Sequence, residues 1–151
     1  MNFRIYEPQN LKETINFTRS LPRTLAIGIN RGMRITGKSM VLDTRKRMRS
    51  GTFSGRIYRI RGRNHRASAT GEYPHRITGR LSRSINSKTF GARRMEFGAT
   101  AEYAKYLEEG TSKMGARKYL FQTAKRFDKQ FQVDIITQVN IEIRKKNVAV
   151  K

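Results

Sequence analysis

Cysteine and tryptophan are absent from these 151 residues, proline occurs three times, histidine twice, and acidic residues number only 11. Without cysteine there are no disulfides and no thiolate metal ligands, a composition compatible with a reducing, intracellular setting. No apolar run approaches the ~18 residues a membrane span requires. The opening Met-Asn-Phe-Arg-Ile-Tyr-Glu-Pro lacks the apolar stretch of a signal peptide. A soluble chain with no membrane partner is expected.

Catalytic constellations are equally scarce. His65 and His75 both sit in arginine-rich sequence, where surrounding cations oppose a bound dication. Neither a metal nor another cofactor is expected. Glu108 and Glu109 are the one adjacent acidic pair. Neighbours on a helix point in different directions, so these two do not converge for acid/base work. No nucleophile elbow and no phosphate-cradling glycine loop occurs. The chain reads as a non-enzyme with no catalytic residue.

Positive charge is what the sequence has in excess. Thirty-three lysines and arginines against 11 acids give a net charge of +22. Copies at this charge repel one another unless a polyanion or an acidic protein lies nearby. Nucleic acid is the natural counterpart, because basic clusters release counterions from phosphates. An RNA-binding protein would share this composition, so charge alone does not choose. A 36% hydrophobic content allows one modest core, and the length fits a single domain over 1–151.

Residues 1–10 read as an arm ending in the Glu7-Pro8-Gln9-Asn10 turn, followed by a helical pattern at Leu11, Ile15 and Thr18. Ser20 suits an N-cap, with Pro22 tolerated in the first turn of a long helix reaching about Arg49. Leu25, Ile29, Met33 and Met40 mark its apolar face. Gly28, Gly32 and Gly37 each weaken it by about 1 kcal/mol relative to alanine. Either a neighbouring backbone approaches closely there, or packing carries a mediocre helix. The helix end, Arg45 to Arg49, is expected to be solvated, its cations complementing the helix dipole.

Residues 51–77 read as a mobile hairpin or long loop. Within it Arg59 and Arg61 are expected on one side of an extended strand, with Tyr58 and Ile60 on the other. Arg56, Arg59, Arg61, Arg63 and Arg66, uninterrupted by any acid, are the candidate DNA-facing residues. The competing reading is a basic surface on which a protein partner docks. Thr78 is expected to cap a short helical turn that places Leu81 and Ile85 on one face. Two strands, 86–91 and 94–100, follow around Gly91-Ala92-Arg93, with Met95, Phe97 and Ala99 sharing a face. A short helix over 103–109 pairs Tyr103 with Leu107. A last helix from about Lys118 carries Leu120, Ala124, Phe127, Phe131 and Ile135 on one stripe. Beyond Ile136 strand and helix patterns compete; helix to about Lys145 is favoured, then a tail over 146–151.

Two stretches stand out. Thr78-Gly79-Arg80-Leu81-Ser82-Arg83-Ser84-Ile85 precedes the strands, and Tyr103-Ala104-Lys105-Tyr106-Leu107-Glu108-Glu109-Gly110-Thr111 leads through a polar turn to Ala116-Arg117-Lys118-Tyr119-Leu120. Gly110 supplies the freedom for a sharp turn. Together, over roughly residues 75–125, these resemble the neck, or tail-completion, proteins of long-tailed double-stranded DNA bacteriophages. That family typically carries Thr-Gly-x-Leu-x-x-Ser-Ile, a hairpin, Tyr-Ala-x-Tyr-x-Glu-x-Gly-Thr, then Ala-Arg-Pro-x-Leu opening the last helix. The chain departs from the pattern at Glu109, where the family has an apolar or aromatic residue, and at Lys118, where it has proline.

The resemblance implies an α+β domain: a long N-terminal helix, a small antiparallel sheet with a long basic hairpin or loop, and a long C-terminal helix packed on the sheet. It implies a virion structural protein at the head–tail junction, made in the host cytoplasm. Its partners would be copies of itself in a six-fold ring, the head-connector and tail proteins, and double-stranded DNA held by non-specific phosphate contacts. The assembly and structural motif would comprise Thr78, Gly79, Leu81, Ile85, Tyr103, Glu108, Gly110, Thr111, Arg117 and Leu120. Glu108 and Arg117 would both lie at the turn between helices, either as a salt bridge within or across subunits or as two solvated charges. The alternative to the ring is a free basic nucleic-acid-binding module.

Overall fold

The computed structural model describes residues 23–148. The expected arm, the Leu11–Thr18 pattern, the Ser20 cap, Pro22 and residues 149–151 of the tail lie outside the described residues. The chain forms α1 (Arg23–Ser50), β1 (Ile57–Ile60), β2 (Arg63–Arg66), α2 (Arg80–Ser84), β3 (Ile85–Phe90), β4 (Arg94–Ala99), α3 (Ala104–Glu109) and α4 (Tyr119–Val148). It is the α+β architecture expected from the sequence, with two separate two-stranded antiparallel hairpins, β1–β2 and β3–β4.

The long helix α1 is the spine. Ile29, Met33, Thr36, Met40, Thr44 and Met48 recur at helical spacing and are all buried. Burying the isoleucine and methionines among them stabilises by about 1.5–3 kcal/mol each, while the two threonine hydroxyls are hydrogen-bonded. One flank of α1 takes the β3–β4 hairpin. Asn30 Nδ2 donates to Gly91 O at 2.7 Å at the hairpin's turn, and Gly37 faces Ser87 and Met95. The other flank takes α4, which runs antiparallel. The first turn of α4 enters the core beside the sheet: Tyr119 and Leu120 belong to one cluster with Met40, Met48, Leu81, Ile85, Phe97, Ala99 and Ala104.

The glycines of α1 resolve the alternative left by the sequence. A Cβ on Gly28 would lie 2.7 Å from Val139 Cα, and one on Gly32 would lie 2.6 Å from Ile135 Cα. Two glycines one turn apart therefore admit the backbone of α4 directly. Further along, the interface changes from close backbone contact to buried hydroxyls. Thr44 Oγ1 and Tyr73 OH each lie 2.9 Å from Thr123 Oγ1, and Arg126 Nη2 donates to Tyr73 OH at 3.2 Å. Arg126 Nη1 also pairs with Asp43 at 2.6 Å.

Several local expectations change. The end of α1 is not simply solvated: Arg45 Nε and Nη2 donate to Ser82 O at 2.8 Å and Ile85 O at 2.9 Å, and Met48 is only 1% exposed. Thr78 does not cap α2. Gly79 occupies the N-cap position at φ 79 without a side-chain cap bond, and Thr78 Oγ1 only accepts a long bond from Arg80 N at 3.4 Å. Ile85 is fully buried but opens β3 instead of sharing the helical turn with Leu81. The last helix starts at Tyr119 and extends to Val148, so part of the expected tail is helical. Lys118 has φ 47, a conformation closed to the proline of the resembling family, whose ring fixes φ near −65°.

Candidate nucleic-acid interface

Within residues 51–77, positions 57–66 form a hairpin and the flanking stretches are irregular. A tight two-residue loop, Arg61-Gly62, closes β1 onto β2 with φ values of 49 and 78. Positive φ at both positions matches the right-handed twist of the strands. The strand therefore ends at Ile60, and Arg61 sits at the tip, not on a strand face beside Arg59 as the sequence suggested. The register pairs Tyr58 with His65, Arg59 with Asn64, Ile60 with Arg63 and Ile57 with Arg66. Residues opposite each other share a face, so Arg63 stands with Tyr58, Ile60 and His65, while Arg59 and Arg66 stand on the other side. Among the described residues, none of Arg56, Arg59, Arg61, Arg63 and Arg66 pairs with a carboxylate.

The hairpin rises from a pinned base. The Glu72 carboxylate accepts from Ser54 Oγ at 2.6 Å, Ser54 N at 3.0 Å and Ala69 N at 2.8 Å. The hydrogen bond from the Ser54 side chain, then those from the Ala69 and Ser54 backbones, hold its carboxyl below the ordinary glutamate range. Phe53, His75 and His65 stack in sequence, with centroids 3.8 and 4.2 Å apart. Partial burial, with the neighbouring His75 second, lowers the His65 pKa.

The motif residues are used mainly inside the subunit. Leu81, Ile85 and Leu120 are core. Tyr103 precedes α3, and Gly110 ends it at φ 82, ψ −179, a conformation open essentially to glycine alone. Thr111 closes a turn with Met114 through reciprocal backbone bonds of 2.8 and 3.2 Å. Within the subunit Glu108 and Arg117 are neither an ion pair nor two solvated charges; each has other partners. Glu108 instead caps α4, accepting from Leu120 N at 3.0 Å and Phe121 N at 2.9 Å. Burial raises its pKa, outweighing these donors. Arg117 turns the other way, donating to Ser68 Oγ at 2.7 Å and Ser68 O at 2.9 Å. Its remaining nitrogen, Nη1, is buried without a hydrogen-bond partner. Glu109 is exposed, 3.9 Å from Lys105, as its polar character requires.

A cleft of about 530 Å³ opens between the inner face of the hairpin and the segment leading into α2. Tyr58, Ile60, Leu81, Tyr103 and Leu107 supply much of its lining, and Arg76, Arg80 and Arg117 border it. Arg76 is joined over Gly79, another lining residue, by Arg83, which lies outside the lining itself. The side of Gly79 that lacks a Cβ is faced by Arg76 Nε and Arg83 Nη1, each 3.0 Å from the position a Cβ would take. Sequence reasoning passed over this pair; the available signal was the recurrence of arginine at 76, 80 and 83 with no acid between them.

No family model matches this chain, and no curated protein or solved structure matches it either.

Proposed function

We propose that this protein is a structural subunit of the bacteriophage neck, assembling with copies of itself into a ring that joins the head connector to the tail and flanks the DNA path. The two sequence motifs and their order support this reading. The observation that carries it is a set of exposed apolar side chains on both long helices. On α1, Leu42 is 65% exposed and Ile35 41%; on α4, Ile136 is 60% exposed and Val133 53%. By helical spacing Leu42 of α1 and Val133 and Ile136 of α4 lie away from the α1–α4 contact, while Ile35 flanks it three residues from Gly32. Together they leave apolar surface for a further partner. Repeated contact between identical subunits, head to tail and closed by rotation, covers such faces in a ring.

The charge sets the conditions of assembly. At low salt the +22 subunits repel, whereas near 0.1 M salt that repulsion reaches only about 10 Å. Sedimentation across a salt series, followed by negative-stain imaging, tests the reading. Monomer at low salt, rings at raised ionic strength or on a connector, and the chain at the neck of particles are expected. A monomer under every condition, absent from particles, overturns the ring. The carboxylate-free arginines of β1–β2 would then favour the second reading, a free nucleic-acid-binding module.

A further inference from the structure

The cleft beside the hairpin has properties that a sliding contact with duplex phosphates does not need. Its walls are apolar and aromatic, with Tyr58 and Tyr103 among the lining side chains. Its volume of about 530 Å³ falls in the range of sites that enclose small organic groups. Cations border this apolar interior. Arg76 and Arg83 bring their guanidinium groups together over Gly79, and among the described residues no carboxylate pairs with either. Like charges held this close are relieved by a bound anion. Arg117, also in the lining, keeps one buried donor unmatched.

An aromatic interior bordered by unneutralised arginines is the chemistry of an unpaired nucleotide: a flat base to stack and a phosphate to neutralise. We propose that this cleft holds one nucleotide of a single nucleic-acid strand. Its base lies against Tyr58 in the cleft and its phosphate on Arg76 and Arg83. Arg63, on the same hairpin face as Tyr58, is placed to meet an adjacent phosphate. A base-paired nucleotide is excluded, because its base is committed to the duplex stack. The proposal shares with the functional reading only the premise that nucleic acid is the anion; it requires no ring.

Fluorescence anisotropy of the full chain with a labelled oligothymidylate, and with a duplex of equal length, tests this. The single strand is expected to bind more tightly. Tyr58 is half exposed, so Tyr58→Ala leaves the core intact. It should weaken single-strand binding about tenfold with little effect on the duplex, and Tyr58→Phe should restore binding. Arg76→Gln with Arg83→Gln should weaken the single strand more than Lys125→Gln with Lys129→Gln, an equal loss of charge on exposed positions of α4. Duplex bound as tightly as single strand, an unaffected Tyr58→Ala variant, or equal losses from both charge variants overturns the proposal. So does displacement of the oligonucleotide by an acidic peptide that binds more tightly. Single-strand binding by a protein that never forms rings would defeat the neck assignment and leave the cleft assignment standing.

Discussion

Gly32 meets Ile135 backbone to backbone: a Cβ on the glycine would lie 2.6 Å from the isoleucine Cα. One turn earlier Gly28 repeats the relationship with Val139 at 2.7 Å. Alanine at Gly32 gains about 1 kcal/mol in helix propensity, but a methyl group cannot occupy that space unless the helices separate. Overpacking typically costs 1–3 kcal/mol, and here the obstructing atom is main chain, which does not swing aside. Gly32→Ala should therefore lower stability by about 1–2 kcal/mol net in urea denaturation. A midpoint equal to or above wild type would refute the close-contact account.

At Gly110 the constraint is both torsional and steric. Its φ of 82 with ψ of −179 is compounded by Met114 O and Ala116 N, each 2.8 Å from where a Cβ would stand. Gly110→Val should cost at least about 1–3 kcal/mol. It should misplace the turn that brings Glu108 under α4. If the chain is a neck subunit as proposed, particles carrying it should accumulate as separate heads and tails. An unchanged melting temperature with normal assembly would show that the turn tolerates a side chain.

The hairpin register changes the expectation for DNA. Five phosphate contacts would give a log-affinity against log-salt slope of about −4 to −5. Because Arg63 and Arg59 lie on opposite faces, a duplex resting on one side meets only part of the set. Changing Arg56, Arg59, Arg61, Arg63 and Arg66 to glutamine should flatten the duplex slope by about 2 to 3, equally for every sequence. No change in slope would assign these arginines to a protein partner.

Two glutamates should tilt stability in opposite directions with pH. Glu72 has its folded pKa held down, so its contribution is present above the ordinary carboxylate range and is lost as pH falls through the folded value. Glu108 has its folded pKa raised by burial, so its contribution is full below the ordinary range and is lost as pH rises through the folded value. On acidification from neutrality, wild type should therefore lose melting temperature relative to Glu72→Gln and gain it relative to Glu108→Gln. Parallel curves for wild type and either variant would contradict that residue's assignment.

The sequence made the regular elements readable because their signals are local. The Ile29–Met33–Met40 spacing marked α1, the turn at Gly91 marked β3–β4, and Gly110 marked the end of α3. The partners of charged groups were not readable, since they depend on which loop crosses which. Arg117 is claimed by Ser68, 49 positions earlier, and Arg45 by carbonyls at 82 and 85. The cleft was hidden for the same reason: its walls come from five separate stretches of chain that only the fold assembles. The sequence did single out the Arg56–Arg66 cluster, but alternation alone could not say that a turn at Arg61 would divide it between two faces.

The burial of α4 is concentrated at one end. Tyr119, Leu120 and Thr123 are nearly inaccessible, whereas the described side chains from Ala124 to Lys145 are all half-buried or exposed. Closely spaced burial resists opening, and sparse burial yields to it. The helix is consequently fastened at two places, by side-chain burial at Tyr119, Leu120 and Thr123 and by the close backbone approach of Gly32 and Gly28 to Ile135 and Val139. It is loosest over residues 140–145, which are almost all exposed. In deuterated solvent the amides beyond Val139 should exchange first, by local opening, and those of the first turns only with the whole domain. A neighbouring subunit seated on Val133 and Ile136 would slow the distal turns selectively, so assembly would be recorded in the helix before any change of shape.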